Sequence, residues 1–188
     1  MRALAALVFA SLLCACAGQA GSREAAPAAA PRSAWIVVAD GRAIGQAQFM
    51  EGPAGVLIRL EFLEGALTPG WHGLHLHTRG DCSDFAAGFQ ASGGHLGMQH
   101  GAAHGLMHPE GPEAGDLPNI FASPHGPFAA EFFSPRVTMN HQRLGSRLAL
   151  LDVDGSALIV HAGPDDHRTQ PIGGAGARVA CAALTPTP

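Results

Sequence analysis

The stretch Val56-Leu57-Ile58-Arg59-Leu60-Glu61-Phe62 decides the reading of the fold. In an extended chain Val56, Ile58, Leu60 and Phe62 share one side, and Arg59 and Glu61 point to the other. Strand side chains alternate between faces, so this is the pattern of a half-buried strand. On its N-terminal side, residues 35–38 and 45–49 read as two earlier strands turned at Asp40-Gly41. On its C-terminal side, short strands are expected at 73–77, 136–139, 147–151, 157–161 and 177–182, with Asp154-Gly155 as a hairpin signal between two of them. No segment sustains a 3.6-residue period, and 25 glycines and 14 prolines favour turns over long helices. The expectation is an all-β antiparallel sandwich or barrel. Two stretches, 78–118 and 162–176, interrupt the rhythm of short strands. Loops that long in a compact domain usually carry function.

The chain has 188 residues, 47% of them hydrophobic and 14% charged, which suits one packed domain and excludes wholesale disorder. All eleven basic residues are arginines, and the formal net charge is −4. A nucleic-acid binder would need a basic surface, so that class is set aside.

The N-terminus reads as an address. Met1-Arg2 precedes an apolar run at 3–13, too short to span a bilayer and suited to a secretory signal. Leu13-Cys14-Ala15-Cys16 resembles a bacterial lipoprotein box, which implies a signal peptide at 1–16, lipidation of Cys16 and an envelope or periplasmic location. Ordinary cleavage after Ala20 is the alternative. Residues 17–33 are rich in Ala, Pro, Gly and Ser and read as a flexible tether, leaving a domain over 34–185. That domain keeps two cysteines, Cys82 and Cys181. In an oxidising compartment an even pair reads as a disulfide, here closing a loop of 99 positions; two free buried thiols are the alternative.

Eleven histidines make up the unusual count. His75-Leu76-His77 places two imidazoles on one face of a strand, which alone is weak evidence for a metal site. His95 follows Gly93-Gly94, and His100, His104 and His108 recur every four residues. Gly97, Gly101 and Gly105 recur at the same interval, and glycine costs about 1 kcal/mol relative to alanine inside a helix. A ligand-bearing loop is therefore expected there, with Glu110, Glu113 and Asp116 adding oxygen donors. His161 ends an apolar strand. Nitrogen donors with few thiols suit copper or zinc.

Taken in order, GLHLHTRGDC (73–82), SGGH (92–95), HGLMHPEGP (104–112), AGDLPN (114–119), FSPRVTM (133–139) and LLDVDGSALIVHAGPDDHRTQPIGGAGARVAC (150–181) resemble the copper/zinc superoxide dismutases, in their bacterial secreted branch. The resemblance spans about 35–184. It implies an eight-stranded antiparallel Greek-key β-barrel with two long functional loops. It also implies copper ligated by His75, His77, His95 and His161, with His95 bridging to zinc, and zinc ligated by His95, His104 and Asp116. The fourth zinc ligand of the family, a histidine three residues before the aspartate, is Glu113 here. A carboxylate oxygen can serve zinc, and His100 and His108 are the alternative donors. After SGGH the usual aromatic–Asn/Asp–Pro run is replaced by Leu96-Gly97-Met98, with Met98 read as a core gap-filler.

Asp165 matches the aspartate that hydrogen-bonds two ligand histidines, taken as His77 and His104. Arg178 matches the arginine beside the copper, and Cys82 and Cys181 match the family disulfide. The implied activity is conversion of superoxide anion to oxygen and hydrogen peroxide, with Arg178 docking the anion and His95 carrying a proton. A non-catalytic envelope metal chaperone or buffer on the same fold is the runner-up, supported by the additional His100, His108, His125 and His141. The residues leave monomer and homodimer open.

Overall fold

A computed structural model describes residues 30–186. The signal-peptide reading, Cys16 and nearly all of the tether lie outside the described residues. The first strand, β1 (Arg32–Val38), takes in Arg32 and Ser33, so the strand begins two residues before the expected domain boundary. It is followed by β2 (Ala43–Gly52) and β3 (Gly55–Phe62), which pair antiparallel through a two-residue loop at Pro53-Ala54. In β3 the alternation holds as expected: Val56, Ile58, Leu60 and Phe62 are buried, while Arg59 and Glu61 are exposed. Arg59 then pairs across the outer face with Glu131 at 2.6 Å.

The remaining strands are β4 (Gly70–His72), β5 (Leu74–His77), β6 (Ile120–Ala122), β7 (Phe128–Ser134), β8 (Val137–Thr138), β9 (Leu148–Ala149), β10 (Ser156–His161) and β11 (Arg178–Leu184). Seven form one antiparallel sheet in the order β5-β10-β11-β1-β2-β3-β7, and β4-β6 forms a separate antiparallel pair. The non-sequential order places β10 between β5 and β11, and β1 beside β11, as a Greek-key barrel requires. The described residues form eleven strands against the expected eight, several only two or three residues long, and β8-β9 is a parallel pair. The main apolar cluster of the core includes Ile36, Phe49, Ile58, Leu60, Leu74, Leu76, Leu158 and Val160.

Two local expectations are corrected. Asp154-Gly155 does not close a hairpin, because β9 pairs with β8 while β10 pairs with β5 and β11. Gly155 is needed for another reason: it has φ 69°, and a Cβ there would collide with the Leu184 carbonyl oxygen. Met98 is 42% exposed and fills no core gap. The segments after β5 and β10 are long connections as expected, the first holding only short 3₁₀ turns at Phe85–Ala87, Gln90–Ser92 and Met98–His100.

Cys82 and Cys181 form a disulfide with Cα atoms 5.9 Å apart. It lies within a second small apolar cluster with Phe89, Ala157, Ile159, Val37 and Phe85. The bond thus ties the start of the first long connection to β11.

Candidate metal centre

Strand β5 is buried on both faces. Leu74 and Leu76 enter the barrel core, so His75 and His77 project to the opposite side, under the long connections. His161 stands at the end of β10, where the register shifts between Val160 and His161. The ring pairs His75–His95 and His75–His161 have centroids 4.0 and 4.7 Å apart. One nitrogen from each of His75, His77, His95 and His161 lies within 4.8 Å of the others, and all four side chains are buried.

The outward nitrogens are spoken for. His75 Nε2 bonds Asp165 Oδ2 at 2.9 Å, His77 Nδ1 donates to the Gly93 carbonyl at 2.9 Å, and His161 Nδ1 donates to the Gly176 carbonyl at 2.9 Å. Those partners fix the tautomers of His77 and His161, leaving the lone pair at Nε2. His75 Nδ1, His77 Nε2, His95 Nε2 and His161 Nε2 are buried with no hydrogen-bond partner. A buried polar atom left unsatisfied costs about 1–3 kcal/mol. Four such nitrogens converging on one point are what a coordinated cation satisfies.

A second cluster lies on the other side of His95. His95 Nδ1 is 2.8 Å from Glu113 Oε2 and 3.8 Å from Asp116 Oδ1. His104 Nδ1 is 2.8 Å from Asp116 Oδ1 and 3.7 Å from Glu113 Oε2. Donors placed about 2.0–2.1 Å from a tetrahedral centre stand roughly 3.3–3.4 Å apart, and the four separations bracket that spacing. Asp116 Oδ2 accepts the backbone N–H groups of Gly105 and Glu113 at 2.7 and 2.8 Å, which anchors the carboxylate and aims Oδ1 inward. Glu113 is thus close to both rings, beside a four-donor group made of His75, His95, His104 and Asp116. Neither alternative donor is: His108 Nδ1 accepts the Glu110 N–H at 3.1 Å, and His100 lines a surface cleft with Arg143.

Asp165 joins the two clusters, contacting His75 Nε2 at 2.9 Å and His104 Nε2 at 3.2 Å. The expectation for His77 is corrected to His75. Because β5 and β10 run antiparallel with Ala157 opposite His77 and Ile159 opposite His75, the chain beyond His161 passes the His75 end of β5. His77 is four residues farther from that crossing than Gly73, whose N–H bonds the Gly163 carbonyl at 2.7 Å.

Burial is the largest influence on the ring charges. It lowers His75 to about 4 against the opposing bond to Asp165, lowers His161 to about 3 with repulsion from His75 adding, and holds His77 well below its ordinary value. Burial would also lower His104, but hydrogen bonds to Asp116, Asp165 and Glu113 outweigh it and raise the ring to about 11. The partners of Glu113, Asp116 and Asp165 depress those carboxyls although burial opposes this.

These shifts set an acid limit on the metal-free fold. In the unfolded chain His75 and His161 take up protons near 6.5, but in the folded chain only near 4 and 3. Below pH 6.5 the unfolded chain therefore binds more protons, and stability falls toward pH 4. The depressed carboxylates extend the loss to lower pH. His104 acts oppositely, but its contribution is complete below 6.5 and is lost only as pH rises toward 11. The urea midpoint of chelator-treated protein is expected to drop steadily from pH 6.5 to 4. A flat midpoint over that range would contradict the neutral-ring reading.

Arg178 opens β11 opposite His161. Its Nη1 donates to the Phe89 carbonyl at 2.8 Å and to Ser92 Oγ at 3.2 Å, and its charge acts on both His77 and His161. The roles of Phe89 and Ser92 were missed in the sequence, although Ser92 opens the SGGH motif. His72 was missed too: it is buried, its Nδ1 lies 2.6 Å from the His161 carbonyl and its Nε2 2.8 Å from the Thr68 carbonyl, so it pins the backbone of His161.

The family model for copper/zinc superoxide dismutase matches residues 43–184. The chain belongs to the copper/zinc superoxide dismutase family. It is 49% identical over 152 residues to "Superoxide dismutase [Cu-Zn]" of Caulobacter vibrioides, covering 81% of this chain and 84% of that one. It is 36% identical to "Superoxide dismutase [Cu-Zn] 2" of Aquifex aeolicus, covering 79% and 83%. Among solved structures, a SOD-like protein from Bacillus subtilis superposes with a TM-score of 0.72 at 32% identity, covering 82% of this chain and 99% of that one. Cu/Zn superoxide dismutase from Brucella abortus superposes with a TM-score of 0.60 at 27% identity, covering 82% and 99%. The two groups of buried donors, His75, His77, His95 and His161 on one side and His75, His95, His104 and Asp116 on the other, share His75 and His95 at the meeting point of β5, β10 and the long connections.

Proposed function

We propose that this protein is a superoxide dismutase of the cell envelope, using copper and zinc. The observation that carries the reading is the convergence of four buried, unpartnered imidazole nitrogens beside the Arg178 guanidinium. His75, His77, His95 and His161 would hold copper, and His95, His104, Glu113 and Asp116 would hold zinc. Bound copper supplies a one-electron couple, so that two superoxide anions and two protons become one oxygen and one hydrogen peroxide. The chain's own part is to attract the anion, exclude alternatives and manage the protons. Arg178 docks superoxide with the N–H groups not used by Phe89 and Ser92. His95, facing the first cluster with Nε2 and the second with Nδ1, holds a proton at Nε2 between the half-reactions and gives it to the reduced product. Asp165 keeps the His75 and His104 rings in register from behind.

A metal chaperone or buffer is less well supported. Among the described residues the groups close enough to hold an ion are His75, His77, His95 and His161 and, overlapping them, His75, His95, His104 and Asp116, and His141 spends its Nδ1 on the Leu151 carbonyl at 2.6 Å. A carrier has no need of an arginine held beside its metal. The envelope location is supported by the disulfide and by the secretory character of residues 1–16, with the Cys16 lipid anchor as the finer reading. Mass spectrometry of the mature N-terminus tests it: an unmodified start at Gly21 rejects the anchor.

The function is tested by following superoxide decay with protein loaded with both metals. Rapid decay that chelation abolishes is expected; decay equal to the metal-free control rejects the enzyme. For the departure at Glu113, Glu113→Ala is expected to weaken zinc binding at least tenfold while copper stays stoichiometric, and Glu113→His to retain zinc. Unchanged zinc affinity in Glu113→Ala, measured by chelator competition, would remove Glu113 from the ligand set.

A further inference from the structure

We infer that Asn119 is a positioning residue for both metal sites, acting through Asp165. The inference rests on the reading of the two clusters as copper and zinc sites. Asn119 lies three residues beyond Asp116, at the end of the first long connection, and Asp165 lies in the second. The Asn119 side chain grips the Asp165 backbone on both sides: Nδ2 donates to the Asp165 carbonyl at 2.8 Å, and Oδ1 accepts the Asp165 N–H at 3.0 Å. The other Nδ2 hydrogen faces His167 Nε2 at 3.3 Å. Reversing the amide would set oxygen against oxygen and donor against donor, so its orientation is determined by its partners.

His167 completes the clamp. It holds φ 60°, a left-handed conformation that a residue with a Cβ rarely adopts. That turn delivers the His167 N–H to Asp165 Oδ1 at 2.6 Å. The Asp165 carboxylate is thereby oriented with Oδ2 on His75 and Oδ1 on His104, one ring from each cluster. A carboxylate that serves two rings at once tolerates little rotation, and a backbone held at both its N–H and its carbonyl limits that rotation. Asn119 reaches neither metal cluster itself, so its influence on them passes through Asp165.

Groups behind metal ligands typically alter metal affinity by about 10–100-fold. Asn119→Asp keeps the size of the side chain but turns the donor facing the Asp165 carbonyl into an acceptor; Asn119→Ser removes the reach. In protein loaded with copper and zinc, both variants are expected to weaken zinc binding about tenfold or more in chelator competition and to shift the Cu(II) electron paramagnetic resonance spectrum, measured where circular dichroism shows them folded. A purely structural role would lower the urea midpoint but leave zinc affinity and the copper spectrum as in the wild type, and that result overturns the inference. Non-additivity provides the second arm. If Asn119 acts through Asp165, adding Asn119→Asp to Asp165→Asn weakens zinc binding no further than Asp165→Asn alone, whereas a multiplied loss overturns it. Wild-type protein that binds neither metal would reject the parent reading, and the inference with it; wild-type binding matched by the variants rejects the inference alone.

Discussion

Arg178→Ala is expected to lower kcat/KM for superoxide at least tenfold while copper remains stoichiometric. Superoxide is a small anion and the chain carries a net charge of −4, so the average field of the protein opposes its approach. A local cation in a cleft can raise an anion's on-rate by about 10–10³. Arg178 is half-buried, and burial already works against its charge, so it stays at the site because Phe89 and Ser92 hold its Nη1. That leaves the guanidinium held where its charge acts on His77 and His161. Arg178→Lys keeps the charge but loses the planar fork, and an intermediate rate is expected. The wild-type rate should fall with ionic strength, and the slope should flatten in Arg178→Ala. The other arginines offer less: Arg79 is turned toward Asp154 at 3.8 Å, and Arg168 is exposed. Copper-loaded Arg178→Ala with wild-type kcat/KM would end the docking role.

Replacing both Cys82 and Cys181 by alanine is expected to cost about 2–5 kcal/mol of stability, the range for a native disulfide. In the chain-entropy view, closing a loop of about 100 residues is worth up to roughly 4.7 kcal/mol. The bond here spans 99 positions. The loss should be read as a fall in urea midpoint of chelator-treated protein. A second consequence follows from position. Phe89 packs in the cluster around the disulfide, and its carbonyl, with Ser92 Oγ, holds Arg178. Releasing Cys82 loosens that support, so kcat/KM should fall even where the double variant is fully folded and metal-loaded. A variant with unchanged midpoint and rate would show that apolar packing alone holds the segment.

Much of this was legible in the residues. The alternation in 56–62 gave the face of β3 correctly, and the glycines at 97, 101 and 105 correctly argued against an α-helix carrying His100, His104 and His108, where only a 3₁₀ turn at Met98–His100 forms. The HxH pair does put both rings on one face of β5. Strand β7 was not legible, because Phe133, 49% exposed, and Ala129 stand on its outer face while Phe128, Ala130 and Phe132 face inward, so residue type does not alternate. The Asp154-Gly155 signal was genuine as a turn but not as a hairpin, since pairing depends on which strand lies alongside, not on the turn between them.

Residue identity by itself determined the donor inventory: imidazoles on a strand beside others on glycine-rich loops, two cysteines in the domain, and an arginine opening the last strand. It did so because hydrophobic alternation and backbone freedom are local properties of the chain. Only the tertiary structure decided that Glu113 stands with His95 and His104 while His100 and His108 do not, and that Asp165 supports His75 in place of His77. Those contacts join positions up to 90 residues apart. Their partners are chosen by strand register and by the direction in which antiparallel neighbours run past each other, which no short stretch of sequence contains.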